Sequence, residues 1–203
     1  GQDNDCDGLI DCEDPDCHRF ELCRQAPRLG IDSGVADSGG QGGDAPKWSI
    51  AVRGNDIDTD RIIPVRFLRK LRDDKAGYDP YLFHDMRFDD KGRERPEFVL
   101  NRPAFRHAGI LVAGANFGCG SSREGAVYAL LDYGIRAVIA PSFGDIHYAN
   151  ELQNGMLPVT LPEEICRDLR EQLRARPGTQ LTIDLARQTV TGAGGAQHRF
   201  EFA

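Results

Sequence analysis

From Ala108 to Phe143 the chain runs through AGILVAGAN, FGCGSS, SREGAVYALLDYG and RAVIAPSF, and no other stretch restricts the fold so strongly. An apolar run of strand length leads into a glycine-rich turn. A segment with Ala126, Ala129, Leu130 and Tyr133 at helical spacing follows, and then a second apolar run. This pattern predicts a buried strand, a crossover helix and another buried strand. Two strands joined through a helix lie parallel, and the crossover is right-handed.

The flanks extend the pattern. WSIAVRG is strand-like, GNDIDTDRIIP is a polar loop turning into structure, RFLRKL suits the start of a helix and DDKAGYDPY reads as a loop. Downstream, GDIHYANELQNG predicts a helix stopped by Gly155, and MLPVTL a third strand. PEEICRDLREQLRA predicts an amphipathic helix with Pro162 near its start, and TQLTIDLARQTVTG two strands around a turn. The expected class is α/β with a mixed sheet and no internal repeat.

The 203 residues suit one main domain with a small appendage. Charge marks the boundary: residues 1–46 carry 11 acidic and 3 basic side chains, residues 47–203 carry 21 and 22. A near-neutral main domain has no broad basic face, so a nucleic-acid partner is not expected. No apolar run is long enough to cross a bilayer, so no membrane association is expected. The chain opens on Gly1 and an acidic stretch, so no secretion signal is expected in the chain as it stands.

Three segments follow from composition. Residues 1–28 are rich in Asp and Cys; residues 29–46 (LGIDSGVADSGGQGGDAP) are a flexible Gly/Ser/Asp linker without aromatic residues; residues 47–203 form the folded domain. In the first segment Asp3, Asp5, Asp7, Gly8, Asp11 and Asp14 occupy the first, third, fifth, sixth, ninth and twelfth positions of a calcium-loop pattern. The twelfth residue is Asp instead of the longer Glu, and no helical pattern flanks the loop. A short extracellular-type calcium module and a disordered acidic tail fit equally well. Zinc through Cys6, Cys12, Cys17 and Cys23 fits less well, because close Cys-x-x-Cys pairs are missing. Four crowded cysteines point to an oxidising compartment or a metal, whereas the isolated Cys119 and Cys166 suit a reducing one.

The segment Gly114 to Glu124 joins a strand to a helix N-terminus, where free N–H groups and the helix dipole favour an anion. Gly118 and Gly120 allow close approach of the backbone to a ligand. It is not a P-loop, since no Lys follows the last glycine. Ser121 with Glu124 also spells a capping box, in which case the serine only starts a helix. His147 is expected to be a hydrogen-bonded structural histidine.

The run NFGCGSSRE, with DIDTDRIIP upstream and AVIAPSFGDIHYANELQNGMLPV downstream, closely resembles the small subunits of the isopropylmalate dehydratase family, relatives of the C-terminal swivelling domain of aconitase. The likeness extends in order from about Trp48 to Ala203. It implies an aconitase C-terminal-type swivelling β/α domain that closes over a large partner subunit carrying a [4Fe-4S] cluster. A cluster of this kind needs about three or four thiolates, and residues 47–203 contain only Cys119 and Cys166, so the resemblance and the cysteine content both put the cluster on the partner.

By position, the resemblance implies that Ser121 is the catalytic serine, an alkoxide that removes the proton beside a carboxylate of a hydroxy-dicarboxylate substrate. Arg123 binds that carboxylate, Ser122 and Gly120 add donors to the same anion, and Asp60 orients groups around the site. Substrate choice is expected in the loop between Arg69 and Phe83, with Arg69 or Arg72 meeting the distal carboxylate. The activity implied is 3-isopropylmalate dehydration and rehydration in cytoplasmic leucine biosynthesis, with which the Cys-rich front is at odds. Related hydro-lyases acting on homoaconitate, citraconate or methylcitrate-like acids, and a degenerate carboxylate- or calcium-binding module, remain alternatives. Gly125 departs from the family, which usually has His after Ser-Arg-Glu.

Overall fold

The computed structural model describes residues 48–70, 72, 77–105 and 108–201. The expected calcium loop and the linker lie outside these residues. Four apolar segments, β1 (Trp48–Ala51), β2 (Ala108–Val112), β3 (Ala137–Ala140) and β4 (Leu157–Thr160), form a parallel sheet in sequential order. Ile50 lies opposite Leu111, Leu111 opposite Val138, and Ile139 opposite Val159.

Sequential parallel order has a geometric consequence. Each right-handed crossover moves one strand in the same direction, so the connecting segments land on one face. The connections include α1 (Thr59–Ile62), α2 (His84–Arg87), α3 (Glu124–Tyr133) and α4 (Asp145–Gln153). On that face Ala126, Val127, Ala129 and Leu130 of α3 pack with Ile50, Val52, Leu111 and Val138. The alternate strand residues Ala51, Ile110, Val112, Ile139 and Val159 point the other way. There they meet Cys166, Leu169 and Leu173 of α5 (Glu163–Ala175).

Chain ends of the helices follow local chemistry. Gly134, at φ +110°, closes α3 in the left-handed conformation that favours glycine, and its N–H bonds the Leu131 carbonyl. Pro162 caps the start of α5, where no N–H is needed.

The remaining strands, β5 (Thr182–Asp184), β6 (Thr189–Thr191) and β7 (Gln197–Arg199), form a separate antiparallel sheet with Ile183 opposite Val190 and Val190 opposite His198. Ile183, Val190 and Phe200 join the apolar cluster beneath α5. Both strand senses of the expected mixed class are thus present, segregated into two sheets. RFLRKL yields only a 3-10 turn over Val65–Phe67, and β7 was not expected from the pattern. Among the described residues no helix is long and apolar enough to cross a membrane.

Candidate active site

Three loops leave the carboxyl ends of β1, β2 and β3, the edge of a parallel sheet where ligands bind in open α/β folds. Main-chain bonds lace them together. Asp56 N donates to Ala115 O at 2.9 Å, Gly118 N to Ile57 O at 2.8 Å, Thr59 N to Cys119 O at 3.0 Å and Phe117 N to Ser142 O at 3.0 Å. Side chains add to this: Asn116 Nδ2 donates to the Asp56 carboxylate, and Asn116 N to Ser142 Oγ, each at 2.8 Å. Asp56 and Asp58 therefore build the turn, since the Asp58 carboxylate caps α1 by accepting from Arg61 N at 2.7 Å.

A cavity opens at this junction, lined by Thr59, the run Gly118 to Arg123 and the run Gly144 to His147. Ser121 and Ser122 are exposed at its surface. The capping-box expectation for Ser121 fails. The helix begins only at Glu124, Arg123 occupies the N-cap position with extended backbone, and no side chain caps it. Ser121 is held differently: its carbonyl accepts from Thr59 Oγ1 at 2.8 Å. The serine hydroxyl is thereby left out of helix capping, next to the N-terminus of a ten-residue helix.

Arg123 is mostly buried, at 14% side-chain exposure, and its Nη1 forms an ion pair with Asp60. The Asp60 carboxyl is held below the ordinary carboxylate range, chiefly by the Arg123 guanidinium beside it and further by Val65 N. The carboxylate thus stays ionised and fixes the guanidinium at the cavity wall. Burial, with help from the Asp58 and Asp56 carboxylates, pushes the Cys119 thiol up, so it remains a protonated small side chain in the wall.

The structure brings Ser121, Ser122, Arg123, Gly120 and Asp60 together. It does not put Arg69 or Arg72 in the cavity wall. Arg69 is exposed. Arg72 grips both oxygens of Asp132 on α3 at 2.9 and 2.8 Å and lies over the Tyr128 ring at 4.4 Å. Glu124 ties α3 to the end of α4 by accepting from Asn154 Nδ2 at 3.0 Å. At Gly125 a Cβ would lie 2.4 Å from Leu68 Cδ2, so the space beyond the α3 start is filled by Leu68.

Sequence reasoning missed Thr59 as the support of Ser121, and the contact of His147 with Glu151. Their one-turn spacing was readable; their burial was not. Among the described residues no group of three or more His, Cys, Asp or Glu could hold a metal ion. Cys119 lies in the cavity wall and Cys166 in the apolar layer under α5, its thiol pushed up to about 12 by burial. The described residues do not fit an iron–sulfur cluster.

Comparison with known proteins points one way. Residues 50–164 match the model of the aconitase C-terminal domain, and residues 167–203 match the LeuD_N model. The 3-isopropylmalate dehydratase small subunit of Phenylobacterium zucineum is 55% identical over 71% of this chain and 70% of its own length. The protein of the same name from Shewanella amazonensis is 48% identical over 76% and 77%. A crystal structure of 3-isopropylmalate dehydratase from Methanocaldococcus jannaschii superimposes with a TM-score of 0.56 at 28% identity, covering 77% of this chain and 81% of that one.

Proposed function

The chain belongs to the family of 3-isopropylmalate dehydratase small subunits, with the aconitase C-terminal domain as its fold. On that premise we propose that it completes the active site of a hydro-lyase that interconverts 2-isopropylmalate and 3-isopropylmalate in leucine biosynthesis. The partner is a large subunit, and the [4Fe-4S] cluster resides there. When bound, such a cluster supplies a Lewis acid for the departing hydroxyl. The reading places the enzyme in the cytoplasm.

The observation that carries the reading is that an exposed Ser121, which caps no helix, lines the same cavity as an Arg123 paired with Asp60. Ser121 Oγ, as an alkoxide, takes the proton from the carbon beside a substrate carboxylate. The electron pair of that C–H bond forms the double bond as hydroxide leaves the neighbouring carbon, and rehydration returns the proton and hydroxide to exchanged carbons. An ordinary serine is too weak a base, so the site must stabilise negative charge. The start of α3 and the Arg123 cation supply this from one side. The planar guanidinium suits two-point binding of the carboxylate, and Ser122 and the Gly120 backbone add donors to the same anion.

The test is anaerobic reconstitution with the cognate large subunit. Isomerisation of isopropylmalate is followed through the absorbance of the unsaturated intermediate, beside Ser121→Ala and beside homoaconitate, citraconate and methylcitrate-like acids. Activity on isopropylmalate that collapses in the variant supports the reading. An intact, cluster-loaded complex that turns over another of these acids, or none, overturns it.

A further inference from the structure

Behind the turn that carries Ser121 lies a pair of ionisable side chains with no part in the chemistry above. His147 and Glu151 stand one turn apart on α4, with side chains 1% and 0% exposed and Nε2 3.0 Å from Oε1, off the line of a hydrogen bond. Among the described residues, His147 Nδ1 and Glu151 Oε2 have no hydrogen-bond partner. Isolated buried charges are costly, so two such groups persist together only if each offsets the other's burial.

The pair is directed. His147 lines the cavity in front of Ser121, and Glu151 does not. The imidazole also shapes the turn. It meets Phe117 edge-on at 5.5 Å, and it lies so close to Gly118 that a Cβ there would come within 2.1 Å of the ring carbons. Gly118 has φ +72°. The path of the backbone into Cys119, Gly120 and Ser121 and the seat of the His147 ring are therefore a single packing arrangement.

We propose that His147 and Glu151 are positioning residues for the Ser121 turn, sharing one proton and presenting the positive end of the pair toward the anion site. The inference rests on the reading that an anion binds before Ser121. A small rotation of either side chain brings Nε2 of His147 and Oε1 of Glu151, 3.0 Å apart, onto the line of a hydrogen bond, and along it the proton passes, so the pair interconverts between two neutral groups and an imidazolium–carboxylate pair with no net uptake from solvent. Burial pushes the Glu151 carboxyl up, and His147 opposes that push. An anion in the cavity tips the balance to the ionised form, whose imidazolium faces it.

Other ionisable groups frame the pair. Cys119, Arg123 and Asp145 line the same cavity. From the packed α3, Glu124 is bonded to Asn154, and Asp132 is taken by Arg72. The strand β4 contributes no ionisable residue. Arg123 is committed to Asp60, so it is not the counter-charge of Glu151.

The experiment compares the full chain, Glu151→Gln and the double variant His147→Phe/Glu151→Leu, in complex with the large subunit. His147→Phe alone would strand a buried carboxyl, so the double variant serves as the packing control. In Glu151→Gln the alkaline limb of kcat/KM should move to lower pH by about one unit, a roughly tenfold loss at that limb carried by kcat. The double variant should lack that limb. Profiles of folded variants that superimpose on the parent's overturn the proposal.

A second readout needs no substrate. Nitrogen NMR of the His147 ring in the full chain should show an Nε2 signal that differs between the parent and Glu151→Gln, and an unchanged Nε2 signal overturns the proposal. If the parent complex is inactive on isopropylmalate, the functional reading falls, and the NMR outcome still decides the pair.

Discussion

The two faces of the parallel sheet are built from different materials. Beneath the sheet, α5 presents Cys166, Leu169 and Leu173 to aliphatic strand residues, and the small antiparallel sheet closes the layer with Ile183, Val190 and Phe200. Above it, the segments near the site pack through Ala126 and Ala129, rings such as Phe117 and Phe83, and the buried polar pair His147 and Glu151. The lower face holds the sheet mainly by apolar area, joined by a few buried polar bonds such as that from Arg170 of α5 to the Ala113 carbonyl at 2.6 Å. The upper face spends part of its interior on groups whose positions matter to the cavity, so stability and function should be separable by face.

Ser121→Ala should widen that separation most: a loss of about 10²–10⁴-fold in kcat from removing the proposed general base, with unfolding free energy unchanged within about 0.5 kcal/mol because the side chain is exposed. Urea denaturation of the chain and turnover of the complex read the two halves. Leu169→Ala should do the reverse. Its side chain is fully buried under the sheet, so truncation should cost about 2–5 kcal/mol while the folded fraction retains its kcat.

Gly118→Ala should break the contrast, because one atom touches both properties. The new methyl meets the His147 ring at a positive φ, and both stability (about 1–3 kcal/mol) and kcat should fall together. Unaltered turnover in a destabilised variant would show that the ring and the turn are not coupled.

Asp60→Asn should have the smallest effect. Its side chain is 53% exposed, so the pair contributes less than about 1 kcal/mol to stability, while kcat/KM should drop about tenfold as Arg123 loses its anchor. The sign of the pH dependence follows from the depressed Asp60 carboxyl. The pair's stabilisation is present above the ordinary carboxylate value of about 4 and is lost as pH falls through the lower, folded value. Parent and variant stability should therefore run parallel from pH 6 to 9 and converge only in acid, where thermal melts would reveal any other behaviour.

Much of this architecture was legible along the chain. The four apolar strand segments, α3 to α5 and the glycine stop at 155 all follow from apolar periodicity and turn chemistry, which are local. The site was legible as a glycine-rich strand–helix turn, and its kind was supplied by the resemblance. What resisted reading was nonlocal. The capping box at Ser121 was a sound local signal, overridden because Thr59, 62 positions away, holds the Ser121 carbonyl. The partner of Arg72, Asp132, stands 60 positions on, so that ion pair was not readable along the chain. The burial of His147 and Glu151 depends on the turn that covers them, which no periodicity reports.

The lacing of three strand-end loops also bears on how the protein is made. The bonds that join one loop to another there link segments tens of residues apart, with Thr59 closing on Cys119 and Ser121, and Phe117 on Ser142. Such contacts carry a large loop-closure cost and form late in folding. A partly folded chain therefore lacks the cavity that Ser121 lines.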